Sequence, residues 1–115
     1  MKRRYDFYLV DILDAIDRVQ GYTSGMSLPA LRKDIKTVEA ATRTLEIMGE
    51  AVSQLDEKVK KRYPEVPWQR IKDFRNVVVH QYWQVDVEIL WTIVKEKLPL
   101  LRKQIQQVLK EEKQE

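Results

Sequence analysis

Apolar residues recur along this chain at alternating intervals of three and four, the period of a helix with one buried face. Tyr5, Leu9, Ile12, Ile16 and Val19 make the first stripe, widened by Tyr8 and Ala15. They predict a helix over residues 2–19, ended by Gly21 and Thr23-Ser24-Gly25. Ser27 is placed to cap a second helix, with Pro29 in the first turn, where a missing N–H is tolerated. From there Leu28, Leu31, Ile35, Val38, Thr42, Leu45, Gly49 and Val52 hold the alternation for more than three heptads. That predicts one long helix packed along its length in a bundle. Gly49 on this seam allows a close approach or a bend. With such a bend, the helix extends through Leu55 and Val59 to about Tyr63, where Pro64 and Pro67 break it. Trp68 opens a third helix carrying Ile71, Phe74 and Val78, and a short irregular link follows around residues 81–85. Asp86 is placed as the N-cap of a fourth helix with Ile89, Leu90, Ile93 and Val94 facing inward. Pro99 kinks this helix or starts a new turn, and Leu100, Leu101, Ile105 and Leu109 continue it into a charged tail, residues 110–115, expected to fray. The expected architecture is an all-α antiparallel bundle of four or five helices in one domain, residues 1–115.

Composition narrows the chemistry. A length of 115 residues suits one domain with a modest core. Only 3 glycines and 4 prolines argue against an all-β fold, which needs many turns. The absence of cysteine excludes disulfides and thiolate chemistry. Asp6, Asp11, Asp14 and Asp17 interrupt the apolar residues near the N-terminus, so no signal-peptide core forms there. No apolar run reaches the roughly 18 residues of a membrane span, so a cytoplasmic protein with no membrane partner is expected. A net charge of +3 permits nucleic-acid binding without requiring it, because acidic and basic residues are interspersed.

The single histidine of the chain, His80, falls in Arg75-Asn76-Val77-Val78-Val79-His80-Gln81-Tyr82. Imidazole titrates at about 6.5, so it can take and give a proton near neutrality. Arg75 offers a planar fork suited to phosphate oxygens, Asn76 can support by hydrogen bonding, and Tyr82 brings a phenol. These groups suffice for metal-free cleavage of RNA, where the ribose 2′-OH is the nucleophile and lies beside the phosphate. On one helix Asn76 and His80 share a face, but Arg75 and His80 are roughly 140° apart. Either the helix ends near His80, or a second copy of the chain completes the site across a two-fold axis. Blander readings exist for the same residues. A histidine at a helix C-terminus often only complements the dipole, and a lone arginine often pairs with a carboxylate such as Asp11 or Asp14. Tyr82 and Trp83 could be packing aromatics. Lys58, Lys60, Lys61, Arg62, Arg70 and Lys72 form a basic band; Arg62, Arg70 and Lys72 are candidate phosphate contacts if the band flanks the site. One histidine and scattered carboxylates make a poor metal site, so no metal or other cofactor is expected.

The motif resembles the signature of the HEPN superfamily, most closely its HepT-like branch. Glu46-Ile47-Met48-Gly49-Glu50-Ala51, Pro64-Glu65-Val66-Pro67-Trp68, Val85-Asp86 and Leu98-Pro99 extend the likeness collinearly from about residue 5 to 108, with Phe74 where many relatives carry methionine. The resemblance implies a homodimeric, metal-independent endoribonuclease, the toxin of a toxin–antitoxin pair. Its catalytic residues would be Arg75 and His80. Its cognate partner would be a minimal nucleotidyltransferase that neutralises it by transferring AMP to Tyr82. The other role in the superfamily is a non-catalytic, nucleotide-holding partner subunit of the nucleotidyltransferase.

Overall fold

Leu9, Ile12, Ile16 and Val19 are fully buried along one stripe of the first helix, α1 (Lys2–Thr23), as their spacing requires. The computed structural model describes residues 2–81 and 84–113; Tyr82, Trp83 and the side chains of residues 2–6, Tyr5 among them, lie outside what is described. Helix α1 passes through Gly21 and ends at Thr23, followed by a turn at Gly25, whose φ of +75° is the left-handed backbone that glycine adopts without strain. The Thr23 hydroxyl, fully buried, turns back to donate to the Val19 carbonyl at 3.0 Å.

The expected long second helix is three helices. Ser27 caps α2 (Leu28–Lys33), accepting from the Ala30 N–H at 3.2 Å, with Pro29 in the first turn as expected. Asp34 then ends α2 and starts α3 (Ile35–Gln54), accepting from the Thr37 N–H at 3.1 Å and the Thr37 hydroxyl at 2.7 Å. The hydroxyl bond first, and the N–H bond second, hold the Asp34 carboxyl below its ordinary value. The break turns Ile35 off the seam, leaving it 69% exposed, while Val38, Leu45, Gly49 and Val52 stay buried. Leu55 ends α3, and Asp56 caps α4 (Glu57–Arg62) through the Lys58 N–H at 2.7 Å. Leu55, Val59 and Tyr63 are nonetheless buried, so the apolar phase survives both breaks.

Helix α5 (Trp68–Val78) carries the motif on a face defined by Trp68, Ile71, Phe74 and Val78, all buried. After it come two short antiparallel strands, β1 (Val79–Gln81) and β2 (Gln84–Val85), in place of the irregular link. Asp86 caps α6 (Val87–Thr92) by accepting from the Ile89 N–H at 3.0 Å. A π-helical turn, Ile93–Lys97, joins α6 to α7 (Leu98–Lys113). Pro99 explains it: proline has no N–H, and its ring crowds the carbonyl four residues back, so the preceding turn widens. The Leu98 N–H accordingly donates to Ile93, five residues back. Leu100, expected inside, is 62% exposed, while Leu101 and Ile105 are buried as expected and Val108, rather than Leu109, is the fully buried residue near the end.

Helix α3 packs between α1 and α5, and α1 packs also on α7, around one apolar cluster. The all-α bundle expected from the periodicity is what forms, with the two-strand ladder its only sheet among the described residues. No described helix is long and apolar enough to cross a membrane. The described part of the charged tail is held rather than frayed. Glu112, 5% exposed, accepts from the Tyr63 hydroxyl at 2.8 Å and from Arg62 Nη2 at 3.0 Å. Burial first, and then the bond to Glu112, push the Tyr63 hydroxyl up, so it stays a protonated donor.

Candidate functional site

Two backbone contacts fix the motif helix. At its start, the Trp68 indole donates to the Tyr63 carbonyl at 3.1 Å and the Lys60 carbonyl at 3.2 Å, satisfying the C-terminus of α4. In its middle, α5 lies against α3 at Gly49: a Cβ there would sit 3.0 Å from the Lys72 carbonyl oxygen and 3.3 Å from Lys72 Cα. The close approach read from the sequence is therefore real, and it sets the position of Arg75, one turn beyond Lys72.

Helix α5 ends at Val78, where the Val79 N–H turns back to the Arg75 carbonyl. His80 is thus on a strand. Asn76 and His80 do not share a helix face, and of the two ways considered for the Arg75–His80 angle, the chain takes the first: the helix stops and turns. The Asp86 N–H donates to the Val78 carbonyl at 2.6 Å, and Val79 pairs with Val85, so the ladder folds directly back on the end of α5. Alternation along β1 packs Val79 against the core and leaves His80 outward, its side chain 58% exposed.

That ladder delivers a residue the sequence did not assign to the site. Asp86 Oδ2 lies 3.2 Å from His80 Nε2, while Asp86 Oδ1 caps α6. The Ile89 N–H first, and the His80 ring second, hold the Asp86 carboxyl below its ordinary range, so it is ionised near neutrality. Arg75 is half-buried and makes no ion pair or hydrogen bond through its side chain with any described residue. Neither carboxylate considered as its partner takes it: Asp14 pairs with Arg18 at 3.2 Å, and Asp11 lines a separate cleft with Glu46 and Glu50. Successive residues of a helix are 100° apart, which places Lys72, Arg75 and Asn76 along one flank of α5 and Arg70 on the other. Arg70 instead lines a groove of ≈ 770 Å³ with Asp73, Phe74, Val77, Ile89 and Leu100. Arg62 is committed to Glu112, so its guanidinium is not a free phosphate contact. Tyr82, the expected modification site, lies outside the described residues. Among the described residues no three histidine, aspartate or glutamate side chains group as a metal site would need. The contact the structure shows is an outward imidazole braced by a carboxylate, suited to moving protons; Arg75, five residues earlier at the end of the adjoining helix, carries a guanidinium with no side-chain partner among the described residues.

The model of the ribonuclease HepT-like family matches residues 12–108, which include every one of these groups. The chain belongs to the ribonuclease HepT-like family. A candidate RNase of Methanocaldococcus jannaschii is 36% identical over 104 residues, 90% of this chain and 86% of that protein. A probable ribonuclease HepT of Thermococcus cleftensis is 36% identical over 110 residues, 96% of this chain and 100% of that one. A candidate RNase of Caldanaerobacter subterraneus is 33% identical over 106 residues, 92% of this chain and 95% of that one. No solved structure matches the chain. The HepT-like match and the bundle agree with the resemblance carried by the motif.

Proposed function

We propose that this HepT-like chain is a metal-independent endoribonuclease in which His80 moves the proton and Arg75 receives the phosphate. The observation that carries the reading is the outward His80 imidazole, braced by Asp86 and two residues past the end of the helix that bears Arg75, whose guanidinium has no partner among the described residues. His80 takes the proton of the ribose 2′-OH, the 2′-oxygen bonds to phosphorus, and the P–O5′ bond breaks, leaving a 2′,3′-cyclic phosphate and a 5′-hydroxyl. Arg75 neutralises the charge that gathers on the phosphate oxygens, and Asn76 on the same flank supports it. The leaving oxygen needs a proton too, and one imidazole cannot be base and acid at once. A homodimer bringing two sites to one cleft supplies the second. The groove beside α5 supports such an assembly, since Val77 at 48% and Leu100 at 62% exposure present apolar surface there.

The biological role implied by the family is that of a toxin restrained by a minimal nucleotidyltransferase. Tyr82, two residues past His80, is the proposed acceptor: its phenol oxygen bonds to the α-phosphorus of a nucleoside triphosphate, pyrophosphate leaves, and AMP stays on the ring. The new phosphodiester would compete with RNA for Arg75.

Cleavage of a labelled RNA with and without EDTA tests the chemistry. Cutting should persist in EDTA and leave cyclic phosphate ends. His80→Ala should lose about 10²–10⁴-fold in rate, and Arg75→Lys should also cut poorly because a point charge lacks the fork. Loss of cutting in EDTA, or full activity of His80→Ala, refutes the mechanism. Intact-mass spectrometry after co-expression with the nucleotidyltransferase should show AMP-sized increments on Tyr82 and none on Tyr82→Phe.

A further inference from the structure

We propose that Asp86 is the positioning residue for His80: it holds the proton on Nε2 and leaves Nδ1 as the nitrogen that exchanges a proton with RNA. The inference rests on the ribonuclease reading and assigns the working atom within it.

Asp86 Oδ2 is 3.2 Å from His80 Nε2, within hydrogen-bond reach. An ionised carboxylate can only accept. Asp86 is ionised near neutrality because the Ile89 N–H, and after it the His80 ring, favour the anion. The bond therefore requires the hydrogen on Nε2. Neutral imidazole carries a single N–H, so the lone pair must be on Nδ1. Nδ1 has no hydrogen-bond partner among the described residues, and the side chain is 58% exposed, so this lone pair faces solvent and any bound RNA.

Asp86 can brace the ring because its own position is fixed twice. Its Oδ1 accepts the Ile89 N–H at 3.0 Å, and its N–H donates to the Val78 carbonyl at 2.6 Å. The first bond belongs to the start of α6 and the second to the end of α5. The carboxylate is thus built into the junction of the motif helix with the next one, and the imidazole is oriented from there. When Nδ1 takes a proton, the resulting imidazolium lies against a fixed anion, which stabilises it at the moment charge develops.

Asp86→Asn separates this role from a purely structural one. Asparagine is as good an N-cap as aspartate. With its carbonyl oxygen kept on the Ile89 N–H, its NH₂ faces the ring and can only donate. The ring must then accept at Nε2 and carry its proton on Nδ1, the wrong nitrogen for the reaction. The single histidine makes the readout unambiguous: a long-range ¹H–¹⁵N spectrum of the imidazole, followed through a pH series to the neutral ring. The wild-type protein should show the Nε2–H form and Asp86→Asn the Nδ1–H form. In RNA cleavage Asp86→Asn should lower kcat by about 10–100-fold with KM unchanged, less than for a buried triad aspartate because this pair is exposed. Asp86→Ser is the second variant, keeping a cap while offering the ring no carboxylate. It should leave the ring as the mixture of both neutral tautomers that an unbraced imidazole adopts, and fall in kcat. A wild-type ring in the Nδ1–H form, or variants that keep both tautomer and kcat, overturns the proposal. If the wild-type protein cuts no RNA, the ribonuclease reading fails. The tautomer spectra still decide whether Asp86 holds the ring.

Discussion

Gly49→Ala tests the contact on which the placement of Arg75 depends. The added Cβ would sit 3.0 Å from the Lys72 carbonyl oxygen, where ordinary contact begins at 3.4 Å. Helix α5 would have to retreat by a few tenths of an ångström. A flexible side chain could swing aside, but this neighbour is backbone, held by the buried Ile71 and Phe74 on either side of it. Alanine gains about 1 kcal/mol over glycine in helix propensity. Overpacking a well-filled contact costs about 1–3 kcal/mol. The second effect should win, giving a net loss of about 1 kcal/mol and a melting temperature lower by roughly 3–6 °C. Gly21→Ala is the internal control, because a Cβ at Gly21 meets nothing within 4 Å. It sits inside α1 and should gain about 0.5–1 kcal/mol. Calorimetry should therefore move the two variants in opposite directions. RNA cleavage by Gly49→Ala should fall by more than its stability loss explains, since Arg75 moves with α5. Equal stabilisation by both substitutions would refute the tight α3–α5 contact.

Other contacts carry three more expected outcomes. Glu112→Ala strands the buried Tyr63 hydroxyl and the Arg62 guanidinium, and should cost about 1–3 kcal/mol in urea unfolding; Glu112→Gln, still able to accept, should cost less. Asp34 and Asp86 both titrate in the folded chain below their ordinary value of 3.8, so their contribution is present above that pH and lost as pH falls through the lower folded values. Stability measured from pH 5 downward should therefore drop below about pH 4, and less steeply in Asp34→Asn. Leu100→Glu puts a charge on the groove beside α5, and if that groove is the dimer face, light scattering should report the 13.8 kDa monomer while circular dichroism keeps its helical signal.

The helices were legible because burial enforces a period, and the period survives interruption. Leu31, Val38, Leu45 and Val52 stay in phase across the break at Asp34, so the stripe alone could not show that α2 and α3 are separate. The sign was local and polar: Asp34 three residues before Thr37, and Asp56 before α4, are capping positions inside an otherwise continuous pattern. Leu100 misled for the opposite reason: of the two adjacent leucines expected inward, only Leu101 is in phase with the buried Leu98, Ile105 and Val108, and Leu100 falls on the outer face.

At the site the local sequence ran out sooner. Val77-Val78-Val79 is a β-branched run, and β-branched residues favour extended backbone, which was the available hint that the helix stops before His80. Nothing local places Asp86 against the ring, because a bond over six residues exists only once the ladder has turned the chain. The consequence reaches the assembly. With His80 on a helix, the angle to Arg75 asked for a second copy. With His80 on a strand, the turn at Val79 removes that requirement, and geometry within one chain no longer argues for a dimer. Chemistry and surface favour two copies instead: one imidazole cannot both take the 2′-OH proton and protonate the leaving oxygen in the same step, and Val77 and Leu100 leave apolar surface open beside the helix that bears Arg75.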